Sequence, residues 1–400
     1  MKKFALAIFT PLPTSRTGIA DYCVELHPYL ASHWDITYVI ADDAPDPVLP
    51  ALIKNWARAS EWNTSGNDHV PRFYHMGNNL HHEYIYREIE RVPGVTLLHD
   101  LNLHHLIVEL TLARNNKRDY VAILEDEYGA AGRQIALART EHFIHHPLNE
   151  FLFILNKPIT ESSKGVIVHS SHSSRYLDDK FPATLSKRVQ FPATGLGLYL
   201  DTEARLDRRR ALEIPDSELC FAAFGFITPP KQINLILQAL SQVKTELPPF
   251  KLYLVGETSD SEGLENQIRD LCLQEHVVKT GFVDLKTFED YIAATDIVFS
   301  LRYPAAGETS AALIRAMEHG KCNICFDYAS YADFPNDTVA KLPLDTNNST
   351  ALCKLIVRLA NDPAYRTSVG ENARRHVAEQ HSAEDVAIEI SEFIKMAYQF

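Results

Sequence analysis

Short apolar runs alternate with longer amphipathic stretches along most of this 400-residue chain. The short runs have strand length and are apolar almost throughout, a pattern typical of strands that are buried on both faces of a parallel sheet. The longer stretches repeat their apolar residues at helical spacing. This alternation predicts an α/β fold in which helices cover parallel sheets.

Ten strands are predicted, five in each half of the chain. In the first half they cover Phe4–Thr10, Thr37–Ile40, Arg72–His75, Val95–His99 and Val166–His169. In the second half they cover Cys220–Phe224, Leu252–Val255, Val277–Thr280, Ile297–Leu301 and Asn323–Phe326.

Because the pattern restarts, we interpret the chain as two doubly wound domains. Proline and glycine interrupt the pattern near Pro192–Gly197, so we expect the domains to cover residues 1–195 and 196–380. Two helices, separated near His381, should form the tail.

Composition and charge narrow the class of protein. The chain is 46% hydrophobic and 23% charged, as in an ordinary soluble globular protein. Its net charge of −13 argues against nucleic-acid binding, and we interpret the basic cluster Arg208–Arg210 as a solvated helix face. No apolar run approaches the roughly 20 residues that span a bilayer. The first apolar run ends at Thr10 without a small-residue cleavage site, which favours a strand over a signal peptide, so we expect a cytoplasmic protein.

Six cysteines are too few for a disulfide scaffold. Cys322 and Cys325 form a C-x-x-C pair, but they lie in a predicted strand, where residues three apart point to opposite faces. We therefore predict buried free thiols rather than a redox or metal pair.

The stretch from Leu301 to Gly320 is the main candidate for chemistry. It reads as a strand end, a polar loop and a helix start, with Gly320 suited to end the helix. An open α/β sheet binds ligands at such a position, and the free N–H groups of a helix start favour a phosphate. The candidate residues of this loop are Arg302, Gly307, Glu308, Thr309 and Ser310.

Three loops of the first half are further candidates. Gly18 lets the backbone approach a ligand, with Arg16 and Asp21 supplying charge beside it, although such a loop is often only a turn. Asn78 and Asn79 can bond sugar hydroxyls or satisfy their own loop. A third loop supports either a sugar contact made mainly by His99 or a metal cluster, the latter with ligands His99, Asp100, His104 and His105. The pairs His81-His82 and His145-His146 are predicted to be surface histidines.

The second half adds a cation and several glycines at its strand ends. Lys231 follows a glycine loop at a helix start, where it can reach a phosphate or simply be solvated. Gly256 and Gly281 follow two further strands, so a flat base can lie against the backbone there. Together these residues surround one expected crevice at the carboxyl ends of the second sheet.

In this order the motifs resemble those of the retaining glycosyltransferases of family 4, especially a bacterial polysaccharide-type branch with similar T-G-I-A-D-Y, G-N-N, L-H-D-L and R-Y-P-x-x-G-E-T-S segments. The resemblance covers nearly the whole chain. It implies the GT-B fold, with two Rossmann-like domains facing each other across a cleft and a C-terminal helix, residues 381–400, that packs back on the first domain. It also implies a nucleoside diphosphate sugar as donor.

The resemblance also implies roles for the candidate residues. His99, Lys231 and Glu308 become catalytic candidates. The donor diphosphate and sugar would contact Gly18, Arg302, Gly307, Thr309, Ser310 and Arg315, and the nucleotide base would contact Gly256, Gly281, Phe282 and Val283. The acceptor side would include Arg16, Asp21, Asn78, Asn79 and Asp100. The sequence departs from the family pattern in two places, because Phe226 stands near the usual phosphate-binding Arg and Arg315 stands where a ribose-binding Glu is usual.

These observations predict transfer of a hexose, with retention, from a UDP- or GDP-sugar to a glycan or lipid-linked glycan, in surface polysaccharide synthesis. No metal or other cofactor and no nucleic acid is expected. A lipid-linked acceptor would bring peripheral contact with the inner face of the membrane. The alternative is a catalytically degenerate GT-B subunit that binds a nucleotide sugar or acts as a scaffold, and the two departures support it. A metal hydrolase that uses the histidines is a third reading.

Overall fold

The computed structural model describes residues 3–15, 17–194, 202–258 and 260–400. These residues form two compact units. Unit 1 runs to Pro192 and also contains Ala306–Thr309 and Ala383–Phe400, and unit 2 contains Ala193–Ala305 and Ser310–Ser382. The predicted domain boundary, between residues 195 and 196, lies outside the described residues.

Unit 1 is built on a seven-stranded sheet with the order β3-β2-β1-β4-β5-β6-β7, in which all strand pairs are parallel. Its strands are β1 Phe4–Phe9, β2 Trp34–Ile40, β3 Trp56–Arg58, β4 Arg72–Met76, β5 Val95–Leu98, β6 Gly165–Val168 and β7 Ser186–Arg188. Its helices before residue 192 are α1 Gly18–His33, α2 Ala59–Thr64, α3 Glu83–Arg91, α4 His104–Leu110, α5 Lys117–Glu141, α6 Asn149–Leu152, α7 Lys157–Ser162 and α8 Ser171–Lys180. Strands β4, β5 and β6 are buried at every position.

Unit 2 is built on a six-stranded parallel sheet with the order β10-β9-β8-β11-β12-β13. Its strands are β8 Leu219–Phe224, β9 Phe250–Val255, β10 Val277–Gly281, β11 Ile297–Phe299, β12 Cys322–Phe326 and β13 Ala340–Leu342. Its helices are α9 Thr202–Ala211, α10 Ile233–Val243, α11 Ser261–Asp270, α12 Leu285–Ala294, α13 Ala311–Glu318, α14 Asn348–Asn361 and α15 Pro363–Gln380. In both units the strand order reverses next to the first strand, which is the arrangement of a doubly wound fold.

The last helix, α16 Ala383–Tyr398, belongs to unit 1. Val386, Ile390 and Phe393 of this helix share an apolar core with β1 and α1. Trp34 Nε1 donates to Ser391 Oγ at 3.0 Å. The C-terminal helix therefore packs on the first sheet, as the predicted fold class requires.

Each of the ten predicted strands is present within a few residues of its predicted bounds. The three additional strands, β3, β7 and β13, have only three residues each and lie at sheet edges. An edge strand pairs on one side only, so it needs no continuous apolar run and leaves little hydrophobic pattern. Cys322 and Cys325 are free and buried, and burial raises the pKa of each thiol to about 12.

Two predictions of surface residues are wrong. His82 is fully buried: it ends the short 3₁₀ turn Leu80–His82, and its Nδ1 bonds Asn79 Oδ1 at 3.0 Å. Arg209 is also buried, whereas the side chains of Arg208 and Arg210 are 41% and 64% exposed. Its guanidinium donates to Asp296 Oδ2 at 3.2 Å and to the carbonyls of Ala294 at 2.9 Å and Pro215 at 2.8 Å. The local sequence pattern identifies these residues as polar. It does not show that a hydrogen-bonding partner from another segment packs against them.

Candidate functional site

The strand order of unit 2 reverses between β8 and β11, and the loops that follow these two strands carry the predicted cations. Lys231 ends a 3₁₀ turn after β8, and Arg302 follows β11. Tyr303 N donates to Pro230 O at 2.7 Å, and Gln232 Nε2 donates to Tyr303 O at 2.7 Å. The structure thus brings the Lys231 turn and the Arg302 loop together at the position where doubly wound sheets bind ligands.

Three glycines lie side by side at the carboxyl ends of β8, β9 and β10. Gly225 N donates to Val255 O at 2.9 Å, and Gly256 forms a bridge with Gly281. A Cβ added to Gly256 would lie 2.3 Å from the carbonyl oxygen of Gly225, so only glycine fits there. The Lys231 ammonium bonds the carbonyl of Phe224 beside this row. The strand ends therefore present bare backbone next to a cation.

Two phenylalanines flank the glycine row. Phe226 is 53% exposed and Phe282 is 58% exposed. Both rings are therefore accessible to a ligand that lies against the glycine row. The predicted base-binding residues Gly256, Gly281 and Phe282 therefore lie on one edge of unit 2, and Phe226 adds a second aromatic ring there. Val283 is partly buried against the core behind that edge.

Helix α13 begins as predicted, with Ser310 as its N-cap. Ser310 Oγ accepts a hydrogen bond from Leu313 N at 3.3 Å. The N–H groups of a first helical turn have no partner within the helix and are the groups that bind anions in proteins. Arg315, on the same helix, is buried. Its Nη1 bonds Glu289 Oε1 at 2.7 Å, and His319 Nε2 bonds the other oxygen of Glu289 at 2.8 Å.

Glu289, from helix α12, therefore holds both basic side chains of α13. Burial by itself would raise the pKa of the Glu289 carboxyl, but the hydrogen bond from His319 and the charge of Arg315 outweigh it and leave the pKa below its ordinary value. The carboxylate is thus ionised at neutral pH. The local sequence pattern does not indicate that Glu289 is paired, since an acidic residue on an amphipathic helix is ordinarily solvated.

The loop Ala306–Thr309 belongs to unit 1 and is held by the segments after β5 and β6. Ala306 O accepts from Asn102 N at 2.9 Å, and Gly307 O accepts from Ser173 Oγ at 3.0 Å. Gly307 has a φ of +82°, and a Cβ there would lie 2.5 Å from the Cβ of Leu101. This loop therefore requires glycine. Glu308 Oε2 accepts from Ala306 N at 2.7 Å, so the loop itself positions the Glu308 carboxylate.

In unit 1, three histidines lie at the ends of neighbouring strands β4, β5 and β6. His99 Nε2 bonds His75 Nδ1 at 3.2 Å, and the His99 and His169 rings are 5.9 Å apart. Tyr22 of α1 contacts all three rings, at 4.7 Å from His99. Burial lowers the pKa of His75 to about 3, helped by the nearby His169 and His82, and it lowers the pKa of His99 in the same direction. The imidazoles of His75 and His99 are therefore neutral at pH 7.

Only His99 of this cluster was expected to act. The sequence does contain a signal for His75 and His169: each of three successive strands has a histidine at or next to its end. Because parallel strands end at one edge of the sheet, these histidines are expected to lie together. Tyr22 lies one residue after the candidate Asp21, and no pattern in the sequence distinguishes it from an ordinary core residue.

The other candidates of unit 1 order their own loops. Asp100 Oδ2 accepts from Asn78 N at 2.9 Å, and Asn78 Oδ1 accepts from Leu106 N at 2.9 Å. Asn79 Oδ1 accepts from His81 N at 3.1 Å. Gly18 begins α1 next to the N-cap Thr17, whose Oγ1 accepts from Ile19 N at 3.1 Å. Asp21 lies in the first turn of the same helix.

One acceptor-side candidate, Arg16, lies outside the described residues. Within the described ranges, no group of three or more His, Cys, Asp or Glu side chains is placed to hold a metal ion. His104 bonds the Phe153 carbonyl at 2.7 Å and Tyr120 OH at 2.8 Å, so both of its ring nitrogens are engaged in the core. In the same part of the chain, no helix has the length and apolar character needed to cross a bilayer.

Comparisons with known proteins place these features in context. Residues 205–376 match the family model of glycosyl transferases group 1. An uncharacterized glycosyltransferase of Methanocaldococcus jannaschii is 22% identical over 203 residues, which cover 50% of this chain and 51% of that protein. The poly(ribitol-phosphate) alpha-N-acetylglucosaminyltransferase of Staphylococcus aureus is 23% identical over 163 residues, 40% of this chain and 32% of that protein. The chain thus spans about half or less of the length of these relatives.

Solved structures resemble the whole chain. Sucrose-phosphate synthase from Thermosynechococcus elongatus has a TM-score of 0.70 at 16% identity and covers 99% of this chain and 100% of its own. WaaG, a glycosyltransferase involved in lipopolysaccharide biosynthesis, has a TM-score of 0.66 at 13% identity, and the match covers 97% of this chain and 99% of WaaG. Anabaena HepE, in complex with UDP and glucose, has a TM-score of 0.62 at 14% identity, and the match covers 98% of this chain and 100% of HepE. The predicted GT-B fold is confirmed.

Proposed function

We propose that the protein is a retaining glycosyltransferase that transfers a hexose from a UDP- or GDP-sugar to a glycan or lipid-linked glycan, in surface polysaccharide synthesis in the cytoplasm. One observation carries the proposal. The Lys231 turn and the Arg302 loop meet at the reversal point of the unit 2 sheet, beside three strand ends that present only backbone. Residues 205–376, which contain this edge, match the glycosyl transferase family model.

The proposed chemistry follows from the charge that develops on the leaving group. When the bond between sugar and diphosphate breaks, negative charge grows on the phosphate oxygens, and fixed cations and N–H groups stabilise it. Lys231, Arg302 and the amides around Thr309 and Ser310 would share this task. His99 and Glu308 would contact the donor sugar, and the glycine row with Phe282 would contact the base. In this proposal no metal is needed.

Similar proteins support the donor class. HepE was solved with UDP and glucose, and the Staphylococcus aureus relative is named for transfer of N-acetylglucosamine to a polymer. We therefore propose a nucleotide sugar as donor and a glycan-type acceptor for this chain. Retention of configuration is what the resemblance implies, and the assay below distinguishes UDP from GDP and one sugar from another.

Nucleotide release by the purified full chain tests the proposal. Wild-type protein is mixed with UDP- and GDP-sugars and a panel of oligosaccharides, and released UDP or GDP is measured. We expect release that depends on one nucleotide and increases with an acceptor. The anomeric configuration of the product, measured by NMR, should match that of the donor. Binding of a sugar nucleotide without any release would contradict catalysis, and an inverted product would contradict retention.

A second candidate is a nucleotide-sugar-binding or scaffolding subunit without catalysis. Two observations favour it: Phe226 is exposed where the resemblance implies an arginine, and Arg315 is buried in an ion pair where it implies a glutamate. A thermal-shift measurement beside the release assay distinguishes the two functions. Ligand at 100 times its dissociation constant adds about 2.7 kcal/mol of stability. A pure binding subunit would show this stabilisation and no turnover.

A further inference from the structure

Two histidines of unit 1 are coupled through both their backbone and their rings. His75 lies in β4, and His99 directly follows β5. The two strands pair in parallel, and His99 N donates to Met76 O at 2.9 Å. The rings are joined as well, because His99 Nε2 and His75 Nδ1 are 3.2 Å apart, within hydrogen-bond distance. The pairing of the strands therefore fixes where the two rings meet.

The surroundings of the two rings differ. His75 is 0% exposed, and the rings of Phe73 and Tyr22 pack on it with centroids 4.7 and 5.6 Å away. His99, in contrast, is partly exposed. Because His75 occupies Nε2 of His99, Nδ1 is the ring nitrogen that His99 has left for a ligand. Whether Nδ1 offers an N–H donor or a lone pair depends on which nitrogen of His99 carries the hydrogen.

Both rings are neutral at pH 7, so each carries one hydrogen. Burial is the main reason that the pKa of His75 falls to about 3, and the nearby His169 and His82 lower this pKa further. Burial also lowers the pKa of His99, and the neighbouring histidines add to the effect. Tyr22 faces both rings, and burial raises the pKa of its hydroxyl, so it keeps its proton. A hydrogen bond between two neutral imidazoles joins an N–H group of one ring to the lone pair of the other.

The second nitrogen of His75 decides which of the two rings donates. Nε2 of His75 is buried, and it has no hydrogen-bond partner in the part of the chain that the structure describes. If Nε2 carried the hydrogen, unit 1 would contain a buried N–H group without an acceptor. Such groups are rare because their desolvation is not compensated, whereas unpaired acceptors are less rare. The hydrogen of His75 therefore lies on Nδ1, which donates to Nε2 of His99.

We propose that His75 is a positioning residue that holds His99 in the tautomer with hydrogen on Nδ1, so that His99 offers an N–H donor to an oxygen of the donor sugar. Since Nε2 of His99 accepts the hydrogen of His75, the single hydrogen of the neutral His99 ring has only Nδ1 left. A neutral donor suits a sugar hydroxyl or ring oxygen, which are neutral acceptors. The contact with a sugar rests on the proposed transfer function, whereas the tautomer rests on the geometry of the two rings alone.

The ¹⁵N chemical shifts of the imidazole nitrogens test the tautomer directly. In a neutral ring the nitrogen that carries hydrogen and the bare nitrogen resonate far apart. A long-range ¹H–¹⁵N spectrum of the histidine-labelled full chain at pH 7 therefore locates each hydrogen, and the signals missing from His99→Gln identify His99. We expect a bare Nε2 and a protonated Nδ1 in His99. The opposite pattern in the wild-type protein would overturn the inference without the need for any further variant.

Three variants test whether His75 causes this tautomer. His75→Leu removes the buried donor, so the two nitrogen shifts of His99 should approach each other or exchange places. His75→Asn, whose side-chain amide can donate from the position of Nδ1, should restore the wild-type shifts. His82→Leu is the matched control, because His82 is also fully buried with a pKa of about 3 but bonds Asn79 instead of His99. Unchanged His99 shifts in His75→Leu, or equal changes in His75→Leu and His82→Leu, would contradict the role of His75.

Nucleotide release connects the tautomer with the reaction. His75→Leu should release nucleotide from the sugar donor about three- to tenfold more slowly, because a neutral hydrogen bond to the sugar is lost. Its dissociation constant for UDP or GDP alone should keep the wild-type value, since the free nucleotide has no sugar. His75→Asn should recover most of the rate. A full-rate His75→Leu protein, or a His82→Leu protein slowed as much as His75→Leu at equal stability, would show that His75 is only structural.

The outcomes separate this inference from the proposed function. The expected tautomer and its dependence on His75, in a protein that releases no nucleotide from any sugar donor, would refute the transfer function. His75 would then still be the residue that fixes the tautomer of His99. Nucleotide release by a wild-type protein whose His99 carries its hydrogen on Nε2 would refute the positioning role alone.

Discussion

The two units share a doubly wound sheet but treat the carboxyl ends of their strands in opposite ways. In unit 1 the neighbouring strands β4, β5 and β6 end in the histidines 75, 99 and 169, whose rings pack against Tyr22. In unit 2 the neighbouring strands β8, β9 and β10 end in the glycines 225, 256 and 281. Unit 1 fills its strand ends with side chains, whereas unit 2 leaves the backbone bare.

This difference indicates a division of tasks on one architecture. Bare backbone beside Lys231 lets a flat, anionic ligand such as a nucleotide approach closely. The strand ends of unit 1 instead present imidazole rings and the Tyr22 side chain, which are polar groups suited to hydroxyls. We therefore expect unit 2 to bind the nucleotide and unit 1 to bind a hydroxyl-rich partner. The predictions below test each side of the comparison, from the largest expected effect to the smallest.

The largest effect concerns the buried cation that supports unit 2. Arg209 is 1% exposed and bonds Asp296, whose other oxygen bonds Arg205 Nη2 at 2.6 Å. Arg209→Ala should lower the free energy of unfolding of unit 2 by about 3–5 kcal/mol, because it leaves a buried carboxylate short of its partner. Calorimetry measures this effect. Tryptophan fluorescence should stay native-like up to the same temperature, since all three tryptophans, 34, 56 and 62, lie in unit 1.

The same cluster provides the control for Arg209. Arg208 and Arg210 have exposed side chains paired with Asp290 and Asp207. Substituting alanine for either should change stability by less than about 1 kcal/mol, as for surface ion pairs. Equal losses at all three positions would contradict the buried role of Arg209.

The next effect concerns the cation of the proposed donor site. Lys231→Ala should slow nucleotide release about 30- to 150-fold, because a charge-assisted contact is worth about 2–3 kcal/mol. Lys354→Ala, on an exposed position of α14, is the matched control and should release nucleotide at the wild-type rate. Thermal unfolding of both variants shows whether the bond from Lys231 to the Phe224 carbonyl also supports the fold. A full-rate Lys231→Ala protein would remove this residue from the site.

A smaller effect tests why the strand ends of unit 2 are bare. Gly256→Ala would force a Cβ to within 2.3 Å of the Gly225 carbonyl, so we expect a loss of about 1–3 kcal/mol in stability together with weaker nucleotide binding. At Gly281, φ is +69° but a Cβ would meet open space. Gly281→Ala should cost only about 1 kcal/mol, the price of a left-handed alanine. Similar losses in the two variants would show that close backbone approach is not the reason for Gly256.

The last prediction concerns the buried histidines of unit 1 and the dependence of its stability on pH. Its effect is the smallest when it is expressed per histidine and per pH unit. Burial lowers the pKa of His75 and His82 to about 3 and that of His104 to about 4, against about 6.5 when unfolded. Between those values the unfolded chain binds more protons than the folded one, so the stability of unit 1 falls as pH drops from 6.5 to 4. Each histidine contributes up to about 1.4 kcal/mol per pH unit in this window.

Urea unfolding followed by tryptophan fluorescence measures that slope in unit 1. His82→Gln should flatten it, because one buried imidazole no longer titrates on unfolding. His81→Gln is the control and should leave the slope unchanged, since His81 is exposed. A unit 1 stability that is constant from pH 6.5 to 4 would show that the buried histidines accept protons in the folded state.

The fold could be predicted because buried parallel strands have continuous apolar runs, as in Phe73-Tyr74 of β4 or Phe221-Ala222 of β8. The glycine row could also be predicted, since Gly256 and Gly281 directly end such runs. The ion-pair partners of the buried charged residues could not be predicted from the sequence. Arg209 meets Asp296 and Arg315 meets Glu289 across large separations in sequence, and local pattern does not encode which distant segment packs against a given helix.

Hydrogen–deuterium exchange of the full chain, with and without UDP and separately with GDP, tests the division of tasks most directly. The account predicts that one nucleotide slows exchange in unit 2 at residues 224–232, 255–258, 280–285 and 301–305. It also predicts unchanged exchange at residues 41–45, in the loop after β2 of unit 1. Protection confined to unit 1, or no protection of the unit 2 strand ends with either nucleotide, would contradict it.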